Sequence, residues 1–364
     1  MECGDEGNTD TIAAFSSYAA LPFLIVMIKE TLTLRLNQRF LNVHPFEVYH
    51  MGCLWSLFKG LIYMALLALL LAGGFAGNMA YEELFHAPWD QILGIENHRR
   101  DLSQIHAMEN RYGWQSVTVP SEDGTRLKGS YIESGNRNHR AVILLHGLYQ
   151  NRAMCVPYAD IYREMGYSVL MVDLRGHGES GGEYPDWGVH DIEDLNAWVD
   201  FLKAKDPSMQ IGIHGISLGA AMALLYSGSK EGEAMKFYVA DSSYASLMEL
   251  GREKIMRYTG DDRLVLGMDV LNPFFQAALF VHDRKLLRDL DPLVQSAKAR
   301  SPLLILHGKS DTLIPYGAAE DLFSEAGSPR KELYLFQGAG HTMEMAANGP
   351  AYREHVQKFV KSLQ

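Results

Sequence analysis

Residues 211–221 read Ile211-Gly212-Ile213-His214-Gly215-Ile216-Ser217-Leu218-Gly219-Ala220-Ala221. An apolar run closes on Gly215, one serine stands between two glycines, and small residues lead into a helical pattern from Met222. The spacing predicts strand, sharp turn and helix, with Ser217 at the apex. Such an elbow holds its serine in strained backbone angles, and side chains at 215 and 219 would collide with the neighbouring strand and helix. The Ser217 hydroxyl would then project above the end of a sheet. A lone G-x-S-x-G also arises by chance in a chain with 33 glycines, so its meaning rests on its surroundings.

Outward from this elbow, residues 115–119 and 127–132 alternate about Ser121-Glu122-Asp123-Gly124, the pattern of a hairpin. Residues 141–145 form a continuous apolar run, as a strand buried on both faces of a parallel sheet requires. Further runs at 168–172, 210–213, 237–240, 303–306 and 333–336 alternate with helical patterns near 189–204, after Ser217, and at 352–363. This alternation specifies an α/β fold with a doubly wound, mostly parallel sheet over residues 111–364. The long interval between 241 and 302 is expected to insert a small helical cap, about 245–298. Its segment 264–281 is more amphipathic than a connection requires.

Toward the N-terminus, residues 60–81 carry no charge. As a helix they would span about 30 Å with no polar face, so a transmembrane helix in contact with the lipid bilayer is expected there. Residues 82–110 read as a polar connector. Residues 1–59 form an N-terminal region in which the uncharged stretch 11–28 is a weaker candidate for a first span. Gly74-Phe75-Ala76 also fits a small-x-small cleavage site, so anchor and cleaved signal are rivals. Arg35, Arg39 and Lys59 precede the segment while Glu82, Glu83 and Asp90 follow it, a bias that places the C-terminal side outside the cytoplasm, at the cell membrane.

The formal net charge of −11 argues against nucleic acid, whose phosphates need clustered Lys and Arg. Of the three cysteines, Cys3, Cys53 and Cys155, one falls within 111–364, so no disulfide framework supports that part. No Cys/His zinc spacing is present, and no metal is expected.

A serine hydroxyl is a weak nucleophile without a base that is itself oriented by an acid. In the elbow architecture these partners follow in the order acid, then histidine, just past late strands. Asp311 stands in the loop after 303–306, with Asp241, after 237–240, as its runner-up. Only His341 and His355 follow Asp311; His355 lies on an amphipathic terminal helix, whereas Gly338-Ala339-Gly340 can swing His341 across the strand ends. The oxyanion needs two backbone N–H donors. Leu218 supplies one by position, and Leu148, in the loop after 141–145, is the best candidate for the other. His146 precedes the serine and is read as shaping that loop. Gly176-His177-Gly178-Glu179-Ser180-Gly181 matches G-x-G-x-x-G, but no helix opens there and no acid-ended strand follows about 20 residues on, so no cofactor is expected. His146, His177, His214 and His307 match no metal-ligand spacing and read as strand-end packing.

Taken together, His146-Gly147, Asp173-Leu174-Arg175-Gly176-His177-Gly178-Glu179-Ser180, Gly215-Ile216-Ser217-Leu218-Gly219, His307-Gly308 with Asp311, and Gly340-His341 resemble the α/β-hydrolase superfamily. The similarity is to its bacterial serine-aminopeptidase-like and monoacylglycerol-lipase-like hydrolases. The resemblance covers 115 to the C-terminus. It implies a Ser217, Asp311, His341 triad, an oxyanion hole of Leu148 and Leu218, no cofactor, and small-molecule ester or amide substrates. The elbow departs from the Gly-Gly-Ser-Trp-Gly form of proline aminopeptidases, which turns the expectation toward a membrane-anchored carboxylesterase or lipase-like enzyme. In the cap interval, Met268, Leu271, Phe274, Phe275, Leu279 and Phe280 are expected to offer the substrate an apolar surface, favouring esters of short to medium acyl chains over aminoacyl amides. A serine aminopeptidase or amidase is the alternative. From another class stands a noncatalytic membrane-tethered binding protein, against which a complete triad argues.

Overall fold

Eight strands in the order β1-β2-β4-β3-β5-β6-β7-β8 build the sheet. The computed structural model describes residues 45–135 and 138–364, and the side chains from residue 53 onward; the candidate span 11–28 lies outside the described residues. β1 (Gln115–Pro120) and β2 (Arg126–Ile132) are the expected antiparallel hairpin, and β2 pairs antiparallel with β4 (Ser168–Val172). From β4 the sheet is parallel through β3 (Arg140–Leu145), β5 (Gln210–Ile216), β6 (Phe237–Asp241), β7 (Leu303–Gly308) and β8 (Lys331–Phe336). The apolar runs dictate this: every residue of β4, β6 and β7 is buried, as strands covered on both faces must be. One apolar layer, with Leu145, Ile213, Trp198 and Leu225, fills one side of the sheet. The other side is filled by Val142, Phe237, Tyr352 and Phe359.

Register decides where the chemistry falls. Leu145 lies beside both Val172 and Gly215, Ile216 beside Asp241, and Asp241 beside Leu306. The loops that leave these strands therefore emerge on one rim, the carboxyl edge where α/β sheets bind ligands.

The chain divides into two units, Met1–Leu67 and Ala68–Gln364. Helix α1, Pro45–His86, is longer at both ends than the uncharged stretch 60–81. Its Cys53–His86 portion is long and apolar enough to cross a membrane, and Leu54, Leu57, Leu61, Leu70 and Phe75 on it are exposed. The expected connector holds two short helices, α2 (Trp89–Leu93) and α3 (Ser103–Tyr112). α4 (Val156–Glu164), α5 (Asp191–Lys205) and α6 (Leu218–Ser227) then flank the sheet. Between β6 and β7 lie α7 (Leu247–Thr259), α8 (Asp262–Asp283) and α9 (Pro292–Ser296); α9 packs on α6 as a crossover helix, leaving α7 and α8 as the inserted pair. α10 (Gly317–Glu325), α11 (Glu344–Ala347) and α12 (Gly349–Lys361) complete the chain.

Candidate active site

Ser217 has φ 54° and ψ −114°, a strained geometry held by packing on both sides. A Cβ on Gly215 would come within 2.0 Å of the Gly219 carbonyl oxygen, and one on Gly219 within 2.5 Å of the Leu145 carbonyl oxygen. The two glycines are therefore needed for helix α6 to start directly on top of β3 and β5. The Ser217 N–H donates to the Asp241 carbonyl at 2.7 Å, tying the elbow to β6.

The Ser217 hydroxyl lies 2.8 Å from His341 Nε2, and His341 Nδ1 lies 2.7 Å from Asp311 Oδ2. The other oxygen of Asp311, Oδ1, accepts the backbone N–H groups of Leu313 and Ile314, each at 2.8 Å, which fixes the carboxylate's orientation. His307 adds Nε2 at 3.2 Å from Oδ2, while the same nitrogen donates to the Ile314 carbonyl at 2.8 Å. Burial alone would raise the Asp311 pKa, but the hydrogen bonds from His307 and His341, with those from the backbone, hold it below the ordinary carboxylate value. Asp311 is thus the acid that reaches His341. Asp241 is engaged elsewhere, by the Tyr352 hydroxyl at 2.7 Å and Ser242 Oγ at 3.1 Å. Its burial, reinforced by the carboxylate of Glu344, pushes its pKa well above the ordinary value. His355, on α12, packs on the ring of Tyr334 in β8.

Leu148 and Leu218 both border the cleft, and among the described residues neither backbone N–H has a protein acceptor. Gly147 brings the loop to the serine: a Cβ there would meet Ser217 Cβ at 3.4 Å. Two buried histidines hold this loop. His146 donates Nδ1–H to the Gly147 carbonyl at 2.8 Å and accepts Leu174 N–H at Nε2, 3.0 Å. His177 accepts Tyr149 N–H at Nε2, 3.1 Å, and donates from Nδ1 to the Arg175 carbonyl. Burial lowers both pKa values, so both rings are neutral and can accept as well as donate.

The G-x-G-x-x-G stretch forms a turn around an aspartate. A Cβ on Gly178 would overlap the Asp173 carboxylate at 2.0 Å. Asp173 accepts the N–H groups of Arg152, at 2.8 Å, and Glu179, at 2.9 Å. The fully buried Arg152 guanidinium pairs with Asp173, with Glu179 at 2.6 Å and with Glu109 at 3.2 Å. This network braces the helical turn after the Leu148 loop. Sequence reasoning missed Arg152, because its acidic partners come from two distant segments, Glu109 from α3 and Asp173 and Glu179 from the turn after β4.

Above Ser217 and His341 is a cleft of about 470 Å³ with mainly apolar walls, including Met154, Trp187, Leu313 and Ile314. From the inserted pair, α7 lines it through Leu250, Arg257 and Tyr258. The apolar residues expected to offer the substrate a surface, Met268, Leu271, Phe274, Phe275, Leu279 and Phe280, all belong to α8, and none of them lines this cleft. The reason is the order of packing: α7 lies between α8 and the strand ends, with Arg252 bonded to Asp269 and Arg257 to the Thr312 carbonyl.

A mostly parallel eight-stranded sheet with a serine, a histidine and an aspartate converging on its carboxyl rim defines an α/β hydrolase. The chain belongs to the prolyl oligopeptidase family, whose model matches residues 157–363, and by family and fold it is a serine hydrolase. It is 32% identical to the YqkD protein of Bacillus subtilis over 249 residues, 68% of this chain and 79% of that one. An esterase of Pyrococcus furiosus superposes over 70% of this chain and 95% of its own with a TM-score of 0.56 and 25% identity. Est1E of Butyrivibrio proteoclasticus, solved with ferulic acid bound, shares the fold at 20% identity over 68% of this chain and 99% of its own, TM-score 0.53.

Proposed function

We propose that this chain is a membrane-anchored hydrolase of carboxylic esters that works through an acyl-enzyme on Ser217. Ser217 attacks the acyl carbon as His341 Nε2 takes its proton, Asp311 orients the imidazolium, and the N–H groups of Leu148 and Leu218 receive the oxyanion. His341 returns the proton to the leaving alcohol. Water deprotonated by the same nitrogen then attacks the acyl carbon, and the acid leaves. The hydrogen-bonded line from Ser217 through His341 to Asp311, at the floor of an apolar cleft, is the observation that carries this reading. The similar Pyrococcus furiosus protein is an esterase, which favours esters over amides.

Peptide or amide cleavage is the second reading, and the match to the prolyl oligopeptidase family favours it. p-Nitrophenyl esters of graded acyl length, assayed beside aminoacyl anilides and compared relative to each uncatalysed rate, separate the two. A preference for aminoacyl anilides with a free amine would overturn the ester reading, and turnover by neither would support a binding protein.

The anchor is α1, whose apolar residues are exposed along the length of a bilayer core. The charge bias about residues 60–81 puts the cleft outside the cytoplasm. Fusions after Gln364 test this: an active alkaline phosphatase supports it, and a bright cytoplasm-only fluorescent reporter with an inactive phosphatase contradicts it.

A further inference from the structure

The second apolar helix in the second unit is α8. It has 22 residues and is long and apolar enough to cross a membrane, yet it is scarcely buried. Leu264, Leu266, Val270, Leu271 and Val281 are exposed, Val270 and Leu266 each at 62%. Within Leu264–Val281 the only charge is Asp269, and Arg252 of α7 neutralises it at 3.1 Å. A soluble domain rarely leaves so long an apolar face to water.

What covers this face is indicated by its neighbour. The Ala68–His86 part of α1 packs directly on α8 through Gly73 and Gly77: a Cβ on Gly73 would meet the Phe274 ring at 2.3 Å, and one on Gly77 the Phe274 carbonyl carbon at 2.4 Å. Small residues four apart let helix backbones approach in this way in membranes. Further along, Tyr81 stacks on His282 with ring centroids 4.4 Å apart, and His282 Nε2 donates to Asn78 Oδ1 at 2.8 Å. Both contacts advance together along the two helices, so the helices run in the same sense. The first half of α8 then extends toward the side of Ala68, where α1 itself exposes Leu69, Leu70 and Leu71. The apolar face of α8 is thus continuous with that of the Ala68–His86 part of α1.

We propose that α8 lies immersed in the membrane interface beside α1, so that the cleft opens onto the bilayer and receives amphiphilic, long-chain acyl esters laterally from it. This rests on the ester-hydrolase and anchoring readings above. α7 carries the connection: it packs on α8 at Gly251, where an added Cβ would meet Met268 Cε at 3.3 Å, and forms the cleft wall with Tyr258, which is exposed, as is Met343 on the same rim. A partly immersed apolar helix would hold that rim at headgroup level, where an acyl chain can pass from lipid to cleft without crossing water.

The test uses the full chain reconstituted in phosphatidylcholine vesicles. In one arm, Val270→Trp is compared with wild type and with Glu122→Trp for quenching by brominated lipid. The indole introduced at 270 should be strongly quenched and the one at 122 unaffected. In the second arm, Leu266→Glu with Val270→Glu should lose at least about tenfold on a long-chain monoacylglycerol held in the vesicles while keeping its rate on a short water-soluble ester. Leu266→Ser with Val270→Ser repeats the arm should the glutamates impair folding. Protein that floats with the vesicles but leaves the 270 indole unquenched overturns immersion with anchoring intact, and an unchanged vesicle rate overturns lateral access. Protein that does not float sinks the anchor. A quenched indole with no turnover of either ester by wild type sinks the hydrolase reading and leaves immersion standing.

Discussion

Ser217 Oγ and His341 Nε2 lie 2.8 Å apart although 124 residues separate them in the chain. The parallel register that sets Gly215 beside Leu145 and Gly308 beside Phe336 creates this proximity, because it lets the elbow and the loop after β8 leave the sheet on the same rim.

The two candidate acids differ in which proton state the fold favours. Asp311→Asn should lower kcat by about 10⁴-fold, because an amide can neither hold the Nδ1–H tautomer of His341 nor balance the imidazolium. Asp241→Asn should leave most activity. Its native pKa is raised by burial, so its stabilisation is complete below the ordinary carboxylate range and is lost as pH rises through the native value. Thermal unfolding followed from about pH 5 to about pH 9 should therefore decline less steeply in Asp241→Asn than in wild type. A larger loss of turnover from Asp241→Asn than from Asp311→Asn would reverse the assignment.

For Asp311 the dependence has the opposite sign. Its native pKa lies below the ordinary 3.8, so the stabilisation it contributes is present above that value and disappears as pH falls through the depressed native one. The acid limb of kcat/KM should accordingly not titrate with Asp311. A limb that vanishes specifically in Asp311→Asn, with residual activity persisting below it, would contradict this.

His177→Ala removes the acceptor for Tyr149 N–H and frees the loop that presents Leu148. We expect kcat to fall by about tenfold, less than the loss on deleting an oxyanion donor outright, with KM little changed. A change confined to KM would mean that the loop binds substrate rather than the transition state.

Gly219→Ala places a methyl against the backbone of β3, which cannot withdraw, and should destabilise the fold by about 2 kcal/mol while displacing Ser217. Gly317→Ala, with nothing within 4 Å of its added Cβ, should be neutral or stabilising by about 0.5 kcal/mol. Denaturant midpoints of the two variants give the comparison.

Much of this arrangement was legible in the sequence because it is encoded locally. Continuous apolar runs mark strands buried on both faces, and Ser217 announces itself by the glycines that its close packing demands. The bond from Asp311 to His307 was less visible, since His307 reads as a strand-end residue until the turn folds it back. Arg152 was invisible, as its partners Glu109, Asp173 and Glu179 converge only in three dimensions. The role of α8 was misread for a related reason: its apolar residues suggested a substrate surface, and nothing local reveals that α7 intervenes.

That Ser217 is the nucleophile is tested most directly by a fluorophosphonate probe. With the full chain, peptide mass spectrometry should find a single adduct on the peptide containing Ser217, absent from Ser217→Ala and slowed by orders of magnitude in His341→Ala. An adduct on any other residue, or labelling undiminished in Ser217→Ala, would contradict it.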